Sequence, residues 1–332
     1  MYIVTGGAGF IGSNLVHELN AHGLTDILIV DNFANAKKFE NLHGALYVDY
    51  MDKREFRRAM SEDALGAGSV DAILHQGACS NTLEDDGVYM MDNNFQYTKE
   101  VLAFAIRQGA PLVFASTAAV YGLSGPGHFK PTIENERPLN IYGFSKLAFD
   151  QYFRHQLARH QVPITAVGLR YFNVYGPREQ HKGRMASVIH HFSKQMKETG
   201  KVRLFAGTGG YCNGEQRRDF VYVRDLARLN MFFAGLGPYA PKADEDRKPV
   251  RGVVNAGTGA SRSFNDVAKA LMAVHGPAEI EYFSMPADLG GRYQHFTEAD
   301  LTGLRGLGCD LQPTPLEEGI VETFATLRAI GS

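Results

Sequence analysis

The chain has 332 residues, 44% of them hydrophobic, enough to bury a sizeable core and to form a cofactor domain with a smaller substrate domain. A formal net charge of -2 and an isoelectric point near 6.6 remove any general electrostatic reason to bind nucleic acid or an anionic membrane, so neither is an expected partner. Three cysteines, Cys79, Cys212 and Cys309, show no CxxC or Cys/His spacing, which argues against a disulfide framework or a zinc site; no metal is expected.

In chain order, Met1 leads directly into an apolar strand at Tyr2–Thr5, without the charged start and apolar stretch of a secretory leader. No apolar run approaches the roughly 20 residues that span a bilayer, so a cytoplasmic location is expected. Further strands are predicted at Ile27–Val30, Leu46–Val48, Ala72–His75, Leu112–Ala115 and Ile164–Leu169. Helical periodicity covers Ile11–Ala21, Asn93–Gln108, Phe144–His160, Met185–Lys197, Phe264–Val274 and Leu316–Leu327. The alternation predicts an α/β fold, a Rossmann-type doubly wound parallel sheet with a smaller, mixed α/β substrate domain. Residues 1–172 and roughly 219–258 are assigned to the dinucleotide-binding domain, and roughly 173–218 and 259–332 to the substrate domain. Past Arg170 the rhythm becomes irregular, and Gly207–Gly214 and Pro238–Pro249 read as surface loops.

Gly7, Gly9 and Gly12 form GxGxxG between the first strand and the first helix, with Gly6 adding GxxGxxG spacing. Gly7 permits the tight turn, Gly9 lets the backbone approach a pyrophosphate, and Gly12 permits close helix packing. The helix N-terminus favours the phosphate charge. Asp31 follows 19 residues after Gly12, at the end of the second strand, where a carboxylate accepts hydrogen bonds from ribose hydroxyls. Taken alone, this favours NAD. Asn32, Lys37, Lys38 and Lys53 lie near the same strand ends and can neutralise a 2′-phosphate, which leaves NADP open. His75-Gln76-Gly77-Ala78 closes the fourth strand with small residues, consistent with a backbone wall beside the cofactor or with a plain strand-end turn.

Tyr142 and Lys146 form YxxxK at the start of a helix, four residues apart and so on one face. A nearby ammonium is expected to lower the phenol pKa and make Tyr142 a usable base at neutral pH. Ser116 and Thr117 end the fifth strand, at the carboxyl edge where ligands bind in such sheets. These motifs together resemble the extended short-chain dehydrogenase/reductase family. The resemblance implies that Tyr142 is an acid/base, that Lys146 holds the nicotinamide ribose, and that a hydroxyl binds the reacting oxygen. By its position before Val120-Tyr121-Gly122, Thr117 matches that hydroxyl better than Ser116.

The run from Arg170 through His181-Lys182-Gly183, with Met90–Asn94, Gln216–Phe220 and Gly291–Gln294, resembles the ADP-heptose 6-epimerases within that family. This resemblance implies an ADP-linked heptose inverted at carbon 6 by transient oxidation and re-reduction, bound NADP, and a homo-oligomer, a homopentamer by family likeness. It further implies Tyr142 and Lys182 as two acid/base groups. Inversion calls for hydride and proton chemistry on opposite faces of one carbon, which one fixed base serves poorly.

By the same resemblance, Phe10, Ile11, Asp31, Asn32, Lys38 and Lys53 border NADP, as do Gln76, Gly77, Ala78, Cys79, Ser80, Asn93, Lys146, Val174 and Lys182. Asn173, Arg184, His191, Phe205, Ala206, Gly207, Thr208, Arg218 and Tyr293 border the sugar nucleotide. A guanidinium such as Arg218 suits a diphosphate because it donates two parallel hydrogen bonds. The chain departs from the pattern at Arg184, where a small hydroxyl residue is expected, in the longer Gly209–Gln216 stretch, and at Asn81-Thr82-Leu83. Ala118-Ala119 stands where a 4,6-dehydratase carries an Asp-Glu pair, which disfavours that reaction. A UDP-hexose 4-epimerase shares the Tyr/Lys chemistry, and a non-catalytic NADP sensor would need only the fold.

Overall fold

Each strand at the centre of this chain sends alternate residues to opposite faces, and both faces are apolar. Ile3, Leu28 and Ile73 join one buried layer, while their neighbours Val4, Ile29 and Leu74 join another. A sheet with two apolar faces must be covered on both sides, which parallel strands linked by crossover helices accomplish. A computed structural model describes residues 1–66, 68–241, 248–286 and 293–331.

The strands are β1 (Tyr2–Thr5), β2 (Ile27–Asp31), β3 (Asp49–Asp52), β4 (Ala72–His75), β5 (Leu112–Thr117), β6 (Ala166–Tyr171), β7 (Asn173–Tyr175), β8 (Lys201–Phe205), β9 (Arg217–Arg218), β10 (Phe220–Tyr222), β11 (Arg251–Ala256), β12 (Arg262–Ser263) and β13 (Glu279–Phe283). Seven of them form one parallel sheet in the order β11-β6-β5-β4-β1-β2-β3. The helices are α1 (Phe10–Ala21), α2 (Lys53–Ser61), α3 (Gly87–Met90), α4 (Tyr97–Gln108), α5 (Ile141–Ala158), α6 (Val188–Thr199), α7 (Val223–Ala234), α8 (Phe264–His275), α9 (Thr302–Gly306) and α10 (Leu316–Ala329). Strand order reverses at β1, which pairs with β2 on one side and β4 on the other, opening a crevice at the strands' carboxyl ends. A third apolar cluster, with Ile189, Phe192, Val202, Leu204, Phe220 and Leu271, packs α6 and α8 around the β8/β13 pair beyond that crevice. This is the Rossmann-type α/β architecture expected from the alternation of strands and helices. Among the described residues, no helix is long and apolar enough to cross a membrane.

Several boundaries differ from the sequence expectation, for identifiable reasons. The third strand is Asp49–Asp52, not Leu46–Val48: Leu46, Tyr47 and Val48 are exposed, and the polar run pairs with β2 at the sheet edge, where one side needs no apolar cover. The helix expected from Asn93 starts at Gly87 and passes through a π-helical turn, Met91–Gln96, before α4. Helix α7 was not expected: ten of its twelve residues are buried against the sheet and α1, so no polar face marks its period. Helix α2 escaped notice for the opposite reason, since only Phe56 and Met60 among its charges reach the core. Gly207–Gly214 carries turns without regular structure, and residues 242–247 of the second expected loop lie outside the described residues.

Candidate active site

The turn joining β1 to α1 leaves no room for side chains at three positions, Gly6, Gly7 and Gly12; a Cβ on Gly7 would lie 2.9 Å from the Val4 carbonyl oxygen. Gly6 has φ +66°, and a Cβ there would lie 2.8 Å from the Gly77 nitrogen; a Cβ on Gly12 would collide with the Gly6 carbonyl oxygen. At Gly9 a Cβ would approach only the Gly6 oxygen, at 3.1 Å, so its other side is open. Gly9 is also the N-cap of α1; no side chain caps it and no acidic residue occupies the first turn. The positive helix end and its free N–H groups therefore remain available to an anion, as a dinucleotide pyrophosphate requires.

A cleft of about 850 Å³ opens over this turn. Gly6, Gly9, Phe10, Ile11, Gly12, Asp31, Asn32, Lys38, Lys53, Gln76, Gly77, Ala78, Ser80, Asn93, Lys146, Val174 and Lys182 all line it, with Ser116, Thr117 and Tyr142. Asn173, Phe205, Arg218 and Tyr293 line its far end. Gly7, Lys37, Cys79, Arg184, His191, Ala206, Gly207 and Thr208 do not line it. Arg184 is exposed, and His191 packs edge-on against His190 on α6.

At the ribose end, Asp31 Oδ2 accepts the Ala8 N–H at 2.8 Å, while Oδ1 accepts the Asn32 N–H at 2.7 Å and the Lys38 ammonium at 2.9 Å. The carboxylate that alone favours NAD is thus paired with a cation, which reduces its repulsion of a 2′-phosphate. Lys53 donates to Asn93 Oδ1 at 2.5 Å, and burial pulls its pKa down. His181 also faces this end; burial, with Lys38 and Lys182 nearby, pushes its pKa down to about 4, so it is neutral. Beneath the cofactor side, Gln76 accepts from Tyr171 Oη and donates to Asn230 Oδ1, each at 2.8 Å, which fixes its orientation.

Asn140 caps α5 by accepting the Gly143 N–H at 2.9 Å, which sets the helix start just before Tyr142. Lys146 is 4% exposed and donates to the Ala115 carbonyl at 3.0 Å. Burial lowers its pKa to about 8, against the opposing charge of Asp150. The expectation that a neighbouring ammonium lowers the Tyr142 pKa is corrected: burial raises it, and a hydrogen bond with Thr117 only partly opposes this. The phenol stands as a proton donor, and Lys146 directs its ammonium at a strand carbonyl.

The two candidate hydroxyls also separate. Ser116 Oγ donates to the buried Asp150 at 2.9 Å, whereas Thr117 Oγ1 accepts the Ala119 N–H at 3.1 Å and its hydroxyl stands beside Tyr142 at the cleft. Asn94, fully buried on the π-helical turn, exchanges hydrogen bonds with the Cys79 backbone at 2.8 and 3.0 Å and donates to Ser145 Oγ at 3.0 Å. It ties the β4 loop to the catalytic helix. Sequence reading included Asn94 in the Met90–Asn94 segment but gave it no role, because the π insertion that places it cannot be seen in residue spacing.

Lys182 enters from the Gln180–Met185 turn, its ammonium 5.2 Å above the Phe10 ring. Burial lowers its pKa, opposed by Glu179. Glu179 anchors this turn by accepting the Ser187 N–H at 2.5 Å and hydroxyl at 2.7 Å. At the far end, Arg218 is 8% exposed and stacks 4.9 Å over Tyr293, and among the described residues no carboxylate pairs with it. The Tyr293 hydroxyl is buried without a hydrogen-bond partner among those residues. A buried cation and phenol left unpaired call for a polar, anionic ligand.

The sequence reading did not single out Tyr89, Phe192, Gln195, Arg203, Phe264 and Phe283, which also line the cleft. Val188, Phe192 and Gln195 share one face of α6 at i, i+4 and i+7, a signal that was present in the helical spacing. No motif marked Phe264 or Phe283.

The chain is 51% identical to the ADP-L-glycero-D-manno-heptose-6-epimerase of Alkalilimnicola ehrlichii over 320 residues, covering 96% of this chain and 95% of that one. It is 48% identical to the protein of the same name from Thiobacillus denitrificans, again over 96% and 95%. Its fold superposes on the crystal structure of Helicobacter pylori ADP-L-glycero-D-manno-heptose-6-epimerase with a TM-score of 0.79, at 29% identity, covering 99% of this chain and 96% of that one. Thermus thermophilus UDP-glucose 4-epimerase, in complex with NAD, superposes with a TM-score of 0.73 at 30% identity over 98% of both chains. The NAD dependent epimerase/dehydratase family model matches residues 2–238, which span the glycine turn, Thr117, Tyr142, Lys146 and Lys182, and with near-full-length epimerase relatives it establishes that the chain belongs to that family, on its epimerase branch.

Proposed function

We propose that this protein inverts carbon 6 of ADP-D-glycero-D-manno-heptose to give ADP-L-glycero-D-manno-heptose, using tightly held NADP. The observation that carries this reading is the meeting of Tyr142 and Lys182, from separate elements, in one cleft beside the glycine turn. Bound nicotinamide dinucleotide supplies the reversible hydride acceptor that such an inversion needs. The residues supply the rest. Thr117 donates to the reacting oxygen, where a fixed donor stabilises developing charge. Tyr142 and Lys182 each exchange a proton with that oxygen, one for each epimer. Lys146 holds the nicotinamide ribose, and Arg218 holds the substrate diphosphate through paired N–H donors. The ADP-heptose assignment draws on the two near-full-length relatives and on the unpaired Arg218.

Incubation of the purified protein with each ADP-heptose epimer, without added reductant, is expected to yield the other. Conversion of a UDP-hexose instead would favour a 4-epimerase, and NADP binding with no turnover of any sugar nucleotide would favour a sensor. Cofactor choice is read separately. Lys38→Ala is expected to weaken NADP binding about tenfold while changing NAD binding little, because one charge-assisted contact to a 2′-phosphate is lost. Equal weakening of both in calorimetric titration would remove Lys38 from that role. We also propose a cytoplasmic homo-oligomer, a homopentamer by family likeness; exposed Leu46, Tyr47 and Val48 beside the edge strand β3 offer apolar surface for it, and light scattering reads the assembly.

A further inference from the structure

Behind the catalytic pair lies a buried group of charges that the proposed reaction does not use. Asp150 follows Tyr142 and Lys146 on α5 at the same four-residue spacing, so the three share one face. It is fully buried. Its Oδ2 accepts from Ser116 Oγ at 2.9 Å, Arg170 Nε at 3.0 Å and Arg170 Nη2 at 2.8 Å. Its Oδ1 has no hydrogen-bond partner among the described residues. Arg170 on β6, itself fully buried, reaches on to Glu136 at 2.5 Å and lies 5.1 Å over the Tyr121 ring. Arg154 binds Glu136 from the solvent side at 2.6 Å.

The groups facing Lys146 are therefore Asp150 on its own helix, with Arg170 behind it, the Cys79 thiol on the β4 loop, and His75 on β4. Burial and then the Lys146 charge push His75 down to about 3, so it is neutral. The two guanidiniums and two carboxylates of the network cancel pairwise. Asp150 is the member nearest the ammonium along α5, and one of its oxygens is unpaired.

We propose that Asp150 is a positioning residue of the catalytic pair, turning the Ser116 hydroxyl away from the cleft while keeping Lys146 charged from one turn along α5. The inference rests on the reading of Tyr142 and Lys146 as the reaction's catalytic pair. With Ser116 committed to Asp150, Thr117 alone meets the reacting oxygen. Burial draws the Lys146 pKa down to about 8, and the Asp150 charge is the largest opposing influence. Without that charge burial is opposed only by Cys79, and Lys146 loses its proton at lower pH.

The test is the pH profile of kcat for ADP-heptose epimerisation by the NADP-loaded full chain, in Asp150→Asn and Asp150→Glu, each with a thermal melt. The alkaline limb of D150N is expected about one pH unit below that of the parent. D150E, which retains the charge, is expected to keep the limb at the parent position. A D150N protein that is slower by the same factor at every pH, with its limb unmoved, overturns the proposal and leaves Asp150 a packing residue. Where D150N gives no folded protein, D150E decides: a limb at the parent position supports the proposal, and one displaced by a full unit overturns it. A parent enzyme converting neither epimer overturns the reaction and this inference together, whereas an active parent with an unmoved D150N limb counts against Asp150 alone.

Discussion

A Tyr142→Phe protein is expected to fold, to bind NADP with parental affinity, and to epimerise about a thousandfold more slowly than the parent, the scale set by loss of one positioned acid/base group. Phenylalanine keeps the ring and removes only the hydroxyl, whose protein partner is Thr117. Nothing in the glycine turn or the Lys146 to Ala115 contact depends on that oxygen. The loss should therefore fall on kcat, equivalent to about 4 kcal/mol of barrier. Lys182→Ala is expected to be slow as well, because its ammonium enters from a turn that α5 does not hold. Rate measurements beside a cofactor titration check both variants. Epimerisation within a few-fold of the parent by either one would remove that residue from the chemistry.

The largest stability effect should come from a residue that never touches substrate. Arg170→Ala is expected to cost about 3–5 kcal/mol, because it leaves Asp150 and Glu136 buried without their shared cation. Arg170 is 0% exposed and makes three charged hydrogen bonds to these two carboxylates, so water cannot substitute for it. Arg154→Ala, which removes the partially exposed partner of the same Glu136, should cost about 1 kcal/mol or less. Thermal and urea unfolding of the two variants separate the cases. An Arg170→Ala protein melting with the Arg154→Ala protein would show that the buried pair contributes no more than the solvent-facing one.

Asp31 illustrates how far residue chemistry alone carried the cofactor question. Its place at the end of β2 was legible from the glycine spacing, but the Lys38 ammonium 2.9 Å from its carboxylate was not, because a 3-10 turn brings Lys38 back to the strand end. Ser116 and Thr117 were likewise adjacent hydroxyls in the sequence. Only the fold turns one to Asp150 and leaves the other to the cleft. Tyr142 met its opposite: proximity to Lys146 suggested a lowered pKa, and the cost of burying a phenolate raises it, with only the Thr117 hydrogen bond opposing.

Local pattern by itself determined the alternation of apolar strands and amphipathic helices, the glycine turn, and the Tyr142/Lys146 face, because each depends on residues a few positions apart. Tertiary structure decided what depends on distant segments. It placed the edge strand after the exposed Leu46–Val48 run, buried α7 on nearly every side, and at the cleft's far end left the Arg218 guanidinium over the Tyr293 ring, whose hydroxyl has no hydrogen-bond partner among the described residues. It also joined Ser116, Glu136, Asp150 and Arg170 behind the active site. Periodicity reports how a segment divides between core and solvent, whereas desolvation and charge pairing are set by whichever chains the fold brings alongside.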